Sequence, residues 1–212
     1  QQSTNGFVGF LQRYGDRYCC MDKIVMWLKI AVSCLPAMLI GLPLNDWLDK
    51  HFYNPTVVAL MLLLYGAGFL FVERYNRSRK PRVNSIAALR WSDALLIGVF
   101  QVLALIPGTS RSGATILGGI LIGTSREVAA EYTFFLAVPV MFGASLLKIV
   151  KFGAISGTEL GVLLVGMAVA FGVSILAIRF LMGYIRKHDF TAFGWYRIGL
   201  GLLVLLYFYV IR

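Results

Sequence analysis

Long apolar stretches alternate with short polar ones along most of the chain. Apolar stretches of bilayer-spanning length occur at about residues 24–44, 56–73, 128–149, 160–181 and 193–211. A helix needs about 20 apolar residues to cross the hydrocarbon core of a bilayer, so each stretch predicts a membrane-spanning helix. Residues 1–23 mix charged and aromatic positions without such a run, and we predict an irregular lead-in there. Residues 24–212 are then a single transmembrane domain.

Residues 91–123 depart from this pattern, because two short apolar pieces flank a polar stretch. One interpretation is a full crossing followed by an interfacial helix. The other is a re-entrant hairpin, whose two half-helices enter the membrane and return to the same side. The basic loops at residues 74–90 and 184–190 both lie in the cytoplasm only with the hairpin, as the positive-inside rule prefers. Lys148 and Lys151 would then lie near the outer face, which is evidence against it.

The amino-acid composition indicates whether water or lipid surrounds this protein. Of 212 residues, 58% are hydrophobic and 14% are charged, whereas soluble domains have about 45–50% and about 25%. We therefore predict an all-α integral membrane protein, a multi-span helical bundle with a re-entrant helical hairpin. The net charge of +10 fits loops that contact anionic headgroups of the bilayer. We expect no nucleic-acid partner.

The polar stretch inside the hairpin carries the candidate chemistry. Pro107-Gly108 breaks the first half-helix, and Ser110 or Ser112 is suited to cap the second. Arg111 adds a permanent charge and a planar fork of donors. Free N–H groups at a helix start, hydroxyls and one arginine together predict an anion site, with phosphate as the preferred anion. The candidate residues are Arg111, Ser110 and Thr115, with Gly108, Thr109, Ser112, Gly113 and Gln101 around them.

Several polar residues have competing interpretations. Arg111 alone would be explained by contact with headgroups, but an arginine between two serines in a broken membrane helix is costly without a ligand. Gln101 either hydrogen-bonds within the hairpin or reaches the site. Glu131 either pairs with Arg111 or Arg126 or only complements a helix N-terminus. Tyr196-Arg197 is interpreted as an interfacial anchor.

Several sequence strings together carry a family resemblance. They are Gly98-Val-Phe-Gln101, Pro107-Gly-Thr-Ser-Arg-Ser-Gly-Ala-Thr115, Pro36-Ala, Asn54-Pro55, Phe134-Phe-Leu-Ala-Val-Pro139 and Tyr196-Arg197. Over roughly residues 30–212 the chain resembles the undecaprenyl-diphosphate phosphatase family of the bacitracin-resistance type. The resemblance implies a bacterial inner-membrane enzyme that hydrolyses undecaprenyl diphosphate to undecaprenyl phosphate and inorganic phosphate. That reaction recycles the lipid carrier for cell-wall synthesis.

The same resemblance implies further properties of the fold and the site. The fold would be part of an inverted repeat, with its site open to the periplasmic side. Activity would need a divalent cation, Mg²⁺ or Ca²⁺. Arg111 would hold the diphosphate of the polyprenyl substrate, and Ser110 and Thr115 would contribute to the site. A homodimer is left open.

One departure from the family pattern shapes these expectations. The family also has a motif of acidic residues, Pro-Val-Ser-Ser and a histidine, and no such string occurs in this sequence. We therefore expect no metal ligands in this chain, a missing N-terminal portion, and little phosphate release by the 212 residues alone. The alternative function is a lipid or anion transporter, or flippase, on the same re-entrant architecture.

Overall fold

The computed structural model describes residues 7–152 and 157–211, and its regular elements are helices. They are α1 (Phe7–Phe52), α2 (Pro55–Asn76), α3 (Trp91–Val102), α4 (Arg111–Leu121), α5 (Arg126–Phe152), α6 (Gly157–Lys187) and α7 (Thr191–Leu206). A 3₁₀ turn at Leu103–Leu105 follows α3, and a π-helical turn at Tyr207–Ile211 follows α7. Within this part of the chain, five segments are long and apolar enough to cross a bilayer: Lys23–Gly41, Pro55–Asn76, Arg126–Val150, Gly157–Lys187 and Thr191–Val210. The prediction of an all-α integral membrane protein is confirmed.

The first helix is longer than the sequence pattern indicated. The irregular lead-in predicted for residues 1–23 is wrong for residues 7–23, which belong to α1, while residues 1–6 lie outside the described part. Phe7, Phe10, Leu11, Tyr14 and Tyr18 recur at three- and four-residue intervals. That spacing is the signature of an amphipathic helix, and the charges between these positions obscured it.

Both ends of the hairpin meet one loop, and this contact identifies it as re-entrant. The Nη2 atom of Arg82 donates to Asp93 Oδ1 near the start of α3 at 2.7 Å and to the Ile122 carbonyl just after α4 at 3.4 Å. The Arg82 and Val83 amides also donate to the Gly123 carbonyl, at 2.8 and 3.1 Å. The start of α3 and the end of α4 therefore lie at the same loop, so the chain leaves and returns to one end of the bundle. The interpretation as a full crossing is wrong.

The second half-helix, α4, lies inside the bundle. Residues 113–120 are all buried, and α4 packs against α2, α3 and α5. Outside it, α2 and α7 approach each other closely: a Cβ atom on Gly66 would lie 2.8 Å from the Gly194 carbonyl oxygen. Small residues allow such close helix contacts in membranes. The second half-helix is thus enclosed by protein, while α3 is exposed along part of its length.

A buried carboxylate joins three helix ends beside α4. Glu73, at the end of α2, accepts two hydrogen bonds from Arg126 Nε, at 2.9 and 3.0 Å, and pairs with its Nη2. It also accepts a bond from the Phe190 amide before α7, at 3.1 Å. Arg126 therefore pairs with Glu73, which excludes the alternative in which it pairs with Glu131.

Candidate functional site

The tip of the hairpin is built on a glycine that no other residue could replace without strain. Gly108 has φ +89°, a conformation that residues with a Cβ atom rarely adopt. A Cβ at this position would also lie 2.6 Å from both Cα and the carbonyl oxygen of Val58. The tip therefore lies directly against the main chain of α2, which holds the start of α4 in place.

Ser110 caps the second half-helix and leaves two main-chain donors free. Its Oγ accepts a hydrogen bond from the Gly113 amide at 3.2 Å and lies 3.1 Å from Ser112 Oγ. The two capping alternatives are thereby resolved in favour of Ser110. The amides of Arg111 and Ser112 have no acceptor among the described residues. These two N–H groups and the helix dipole favour an anion at this position.

Arg111 is the first residue of α4 and is partly exposed. Its guanidinium lies close enough to Cys34 of α1 for the two groups to interact electrostatically. No carboxylate forms an ion pair with it among the residues that the structure describes. The alternative in which Glu131 pairs with Arg111 is therefore excluded, and the charge of Arg111 is available to a ligand.

A second arginine reaches the same helix end, and sequence reasoning assigned it another role. Arg197 of α7 places Nη2 3.1 Å from where a Cβ on Gly113 would stand. Its Nη1 is buried without a hydrogen-bond partner in the described part of the chain. Its guanidinium also faces the ring of Phe69, 5.6 Å from the centroid. The interpretation of Arg197 as an interfacial anchor is therefore wrong, and its place inside an apolar helix was the available signal.

Thr115 lies one turn into α4, and its side chain hydrogen-bonds to the main chain of the first turn. Its side chain is 1% exposed. Its hydroxyl donates to the carbonyls of Arg111 and Ser112, at 3.0 and 3.2 Å, and accepts from Thr133 of α5 at 3.0 Å. In this arrangement Thr115 fixes the main chain that carries Arg111 rather than facing the open side of the site. Its direct catalytic contribution stays a prediction.

The remaining candidates are buried near the tip. Thr109 is 9% exposed and lies beside Tyr65, which also interacts with Arg197. Gln101 is 3% exposed on α3, and its Oε1 has no hydrogen-bond partner among the described residues. An intrahairpin bond therefore does not account for that oxygen. Neither residue was distinguishable from a structural polar residue by sequence alone.

The assembled geometry is that of an anion site. The Arg197 guanidinium, two free amides and the Ser110 and Ser112 hydroxyls lie at the N-terminus of one buried helix, whose first residue is Arg111. Guanidinium forks and main-chain N–H groups match the geometry of phosphate oxygens. The fold and the site therefore define a polytopic membrane protein with a phosphate-type site on a re-entrant hairpin.

Comparison with known proteins agrees with that class. The family model "Bacitracin resistance protein BacA" matches residues 2–203. The chain belongs to this family. The match begins earlier than the range of about 30–212 indicated by the sequence strings, so it includes the whole of the first helix.

Curated relatives are similar in sequence to this chain over about 70% of their length. A protein of Acetivibrio thermocellus named undecaprenyl-diphosphatase is 59% identical over 192 residues, which cover 90% of this chain and 71% of the relative. Undecaprenyl-diphosphatase 1 of Clostridium acetobutylicum is 54% identical over 199 residues, covering 93% and 73%. A Desulfitobacterium hafniense protein with the first name is 58% identical over 189 residues, covering 88% and 68%.

Proposed function

We propose that this protein is a membrane-embedded hydrolase that converts undecaprenyl diphosphate to undecaprenyl phosphate and inorganic phosphate. The observation that carries the proposal is the approach of Arg197 to the start of α4, where Arg111 and the free amides lie. The names of its relatives supply the substrate. The reaction recycles the lipid carrier used in peptidoglycan synthesis.

The site residues act mainly by positioning and by charge. The net reaction adds one water across the P–O–P bond, and negative charge builds up on the transferred phosphoryl group. Arg111 and Arg197 would bind the phosphate oxygens, with Ser110, Ser112 and the first-turn amides as further donors. Gly108 and Gly113 let the main chain approach closely. Thr109, Thr115 and Gln101 would keep the tip in its binding conformation.

A divalent cation, Mg²⁺ or Ca²⁺, belongs to the proposal on the ground of the family alone. Among the described residues no three His, Cys, Asp or Glu side chains lie together as a metal-binding group. The donors at the hairpin are hydroxyls, amides and guanidinium groups, which do not supply the carboxylate oxygens that such cations prefer. The described residues therefore do not fit a resident metal, and we assign none of them as a ligand.

The orientation of the protein is also a proposal. Basic loops at residues 74–90 and 184–190 lie at one end of the bundle, and the positive-inside rule places that end in the cytoplasm. The hairpin tip points away from it, so the site would open to the periplasmic side of a bacterial inner membrane. A homodimer remains a prediction that cross-linking in native membranes tests.

The decisive experiment separates hydrolysis from transport. Full-length protein in proteoliposomes receives undecaprenyl diphosphate, and mass spectrometry follows the lipid while a colorimetric assay follows phosphate. Equal amounts of undecaprenyl phosphate and inorganic phosphate support the hydrolase. Movement of the intact lipid between leaflets without phosphate release would support the transporter instead.

A companion variant tests the composition of the site. Arg197→Ala should lower kcat/KM by about 10²-fold, because it removes one charge-stabilising donor. Tyr196→Phe, at the neighbouring exposed position, is the matched control and should retain activity. Equal kcat/KM in the Arg197 variant and the original protein would remove Arg197 from the site.

A further inference from the structure

A second concave region lies at the opposite end of the hairpin from the tip. The ends of α2 and α6 and the starts of α5 and α7 line an open cavity of about 1210 Å³, which we term the basic cavity. Ser125 and Arg126 of its wall lie four and five residues after the end of α4. Since α4 has 11 residues, the basic cavity and Arg111 are separated by roughly 16 Å, at about 1.5 Å per residue. It is thus distinct from the hairpin site.

Positive charge dominates the wall of the basic cavity. Six arginine and lysine side chains line it, against three carboxylates: Glu73, Glu127 and Asp189. The N-terminal residues of the 27-residue helix α5 also line it. A helix start adds partial positive charge. The ends of α2 and α6 offset the helix starts at this cavity, so the excess of three formal positive charges is what favours an anion.

The carboxylates of the wall are already engaged. Glu73 accepts bonds from Arg126 and from the Phe190 amide. Glu127 accepts from Arg186 Nε at 2.9 Å, and the Asp189 carboxylate accepts from the Thr191 amide at 3.1 Å. Glu73 and Glu127 are thus each paired with an arginine, while Asp189 keeps its charge and forms no ion pair within the described part of the chain.

Two of the six cations form ion pairs and a third, Arg79, lies over an aromatic ring at 4.1 Å, which leaves three for a ligand. Arg74 and Lys187 have no carboxylate within ion-pair distance among the described residues. Arg77 interacts only at longer range with Asp189. General loop charge would be spread over the surface, whereas these side chains share one concave wall.

We propose that the basic cavity binds a phosphate group, carried by an anionic lipid headgroup or by free inorganic phosphate. Arginine forks and a helix start are the usual partners of phosphate oxygens in proteins. Trp195, 62% exposed, and Leu70 stand in the same wall. An exposed tryptophan at the end of a spanning helix is typical of headgroup depth, which favours the lipid as the source. This proposal goes beyond the hydrolase activity and does not depend on it.

Quenching of Trp195 fluorescence tests the proposal in the full chain. The protein is placed in phosphatidylcholine nanodiscs with increasing amounts of brominated phosphatidic acid, and Trp195→Phe identifies the contribution of that side chain. The cavity variant is Arg77→Gln/Lys187→Gln. The control, Lys80→Gln/Arg90→Gln, removes the same charge from two exposed positions outside the cavity wall.

The two variants should separate clearly. The cavity variant should need at least about tenfold more phosphatidic acid for half quenching, the loss expected for one charge-assisted hydrogen bond. The control should match the original protein. Equal quenching curves for the two double variants would overturn the proposal. If the cavity variant fails to fold, Arg74→Gln, at an unpaired position, replaces it in the same comparison.

A final arm identifies the source of the phosphate. Inorganic phosphate is titrated against bound phosphatidic acid, with sulfate at equal ionic strength as the reference. Retained quenching supports a lipid headgroup site, and displacement by phosphate but not by sulfate supports a free phosphate site. Equal displacement by both salts would show simple screening and would contradict a built phosphate site.

Discussion

Helices α4 and α6 are both apolar and glycine-containing, yet they have opposite environments. In α4, residues 113–120 are all buried, whereas every residue from 157 to 180 in α6 is exposed. A Cβ on Gly118 of α4 would collide with the ring of Phe100, while one on Gly172 of α6 would have no atom within 4 Å. Glycine thus allows close packing in α4, whereas in α6 it faces the open surface of the bundle, on the side that a bilayer would cover.

The difference in burial between the two helices follows from the hydrogen-bonding needs of their main chains. Helix α4 has 11 residues and follows a non-helical tip, so its open polar groups require surrounding protein. Helix α6 has 31 residues and satisfies its own main chain across the bilayer. In a membrane, apolar composition alone therefore does not distinguish a lipid-facing helix from a site-bearing one.

The arginines of the two regions provide the largest expected contrast. In full-length protein, Arg111→Ala should lower kcat/KM for undecaprenyl diphosphate by about 10²–10³-fold, or ~3–4 kcal/mol, because a transition-state charge loses its donor. Arg179→Ala on α6 removes the same charge from an exposed position and should leave turnover intact. Similar kcat/KM values for the two variants would end the assignment of Arg111.

Ion pairs that anchor the two regions should differ next. The Glu73 side chain is 5% exposed and links the helices around α4, whereas Glu127, 46% exposed, pairs with Arg186 of α6. Glu73→Gln should reduce the free energy of unfolding by about 2–3 kcal/mol, since it breaks a buried pair. Glu127→Gln should cost less than about 1 kcal/mol. Unfolding by SDS titration measures both, and the reverse ranking would contradict the comparison.

Glycine substitution tests the packing difference directly. A Cβ on Gly98 of α3 would lie 2.9 Å from Ser33 Cα, a main-chain atom that cannot move locally. Gly98→Ala should therefore destabilise the fold by about 1–3 kcal/mol. Gly172→Ala should leave the midpoint temperature of thermal unfolding in detergent unchanged or raise it slightly. A loss of stability in the α6 variant would show that this helix has an unrecognised partner.

The smallest effect concerns one hydroxyl. Thr133→Val removes the donor to Thr115 Oγ1 and should cost ~1 kcal/mol of stability. Ser174→Ala, on the exposed part of α6, is the control and should have no measurable effect. Both are read from SDS unfolding curves, and indistinguishable curves would argue against a supporting role for Thr133.

Local patterns predicted the helix break and the cap of the second half-helix, while the role of the residues there stays a prediction. Pro107-Gly108, the flanking serines and Arg111 are adjacent in sequence, so their shared position at a helix start followed from backbone rules. The first helix was misjudged because charged residues interrupt its apolar spacing. Arg197 was misassigned because nothing near it in sequence shows that α7 passes the start of α4.

The sequence by itself determined a helical membrane protein, a broken helix with an anion motif, and the family to which it belongs. Each depends on composition or on contiguous residues. Lipid requires apolar spans of fixed length, and helix ends require particular residues, so both can be predicted from the sequence. Only the tertiary structure decided that Arg197 reaches Gly113 at the start of α4, that Thr115 bonds to Thr133, and that Arg126 pairs with Glu73. Those contacts join residues 18 to 84 positions apart, and such distances are closed by helix packing rather than by local preference.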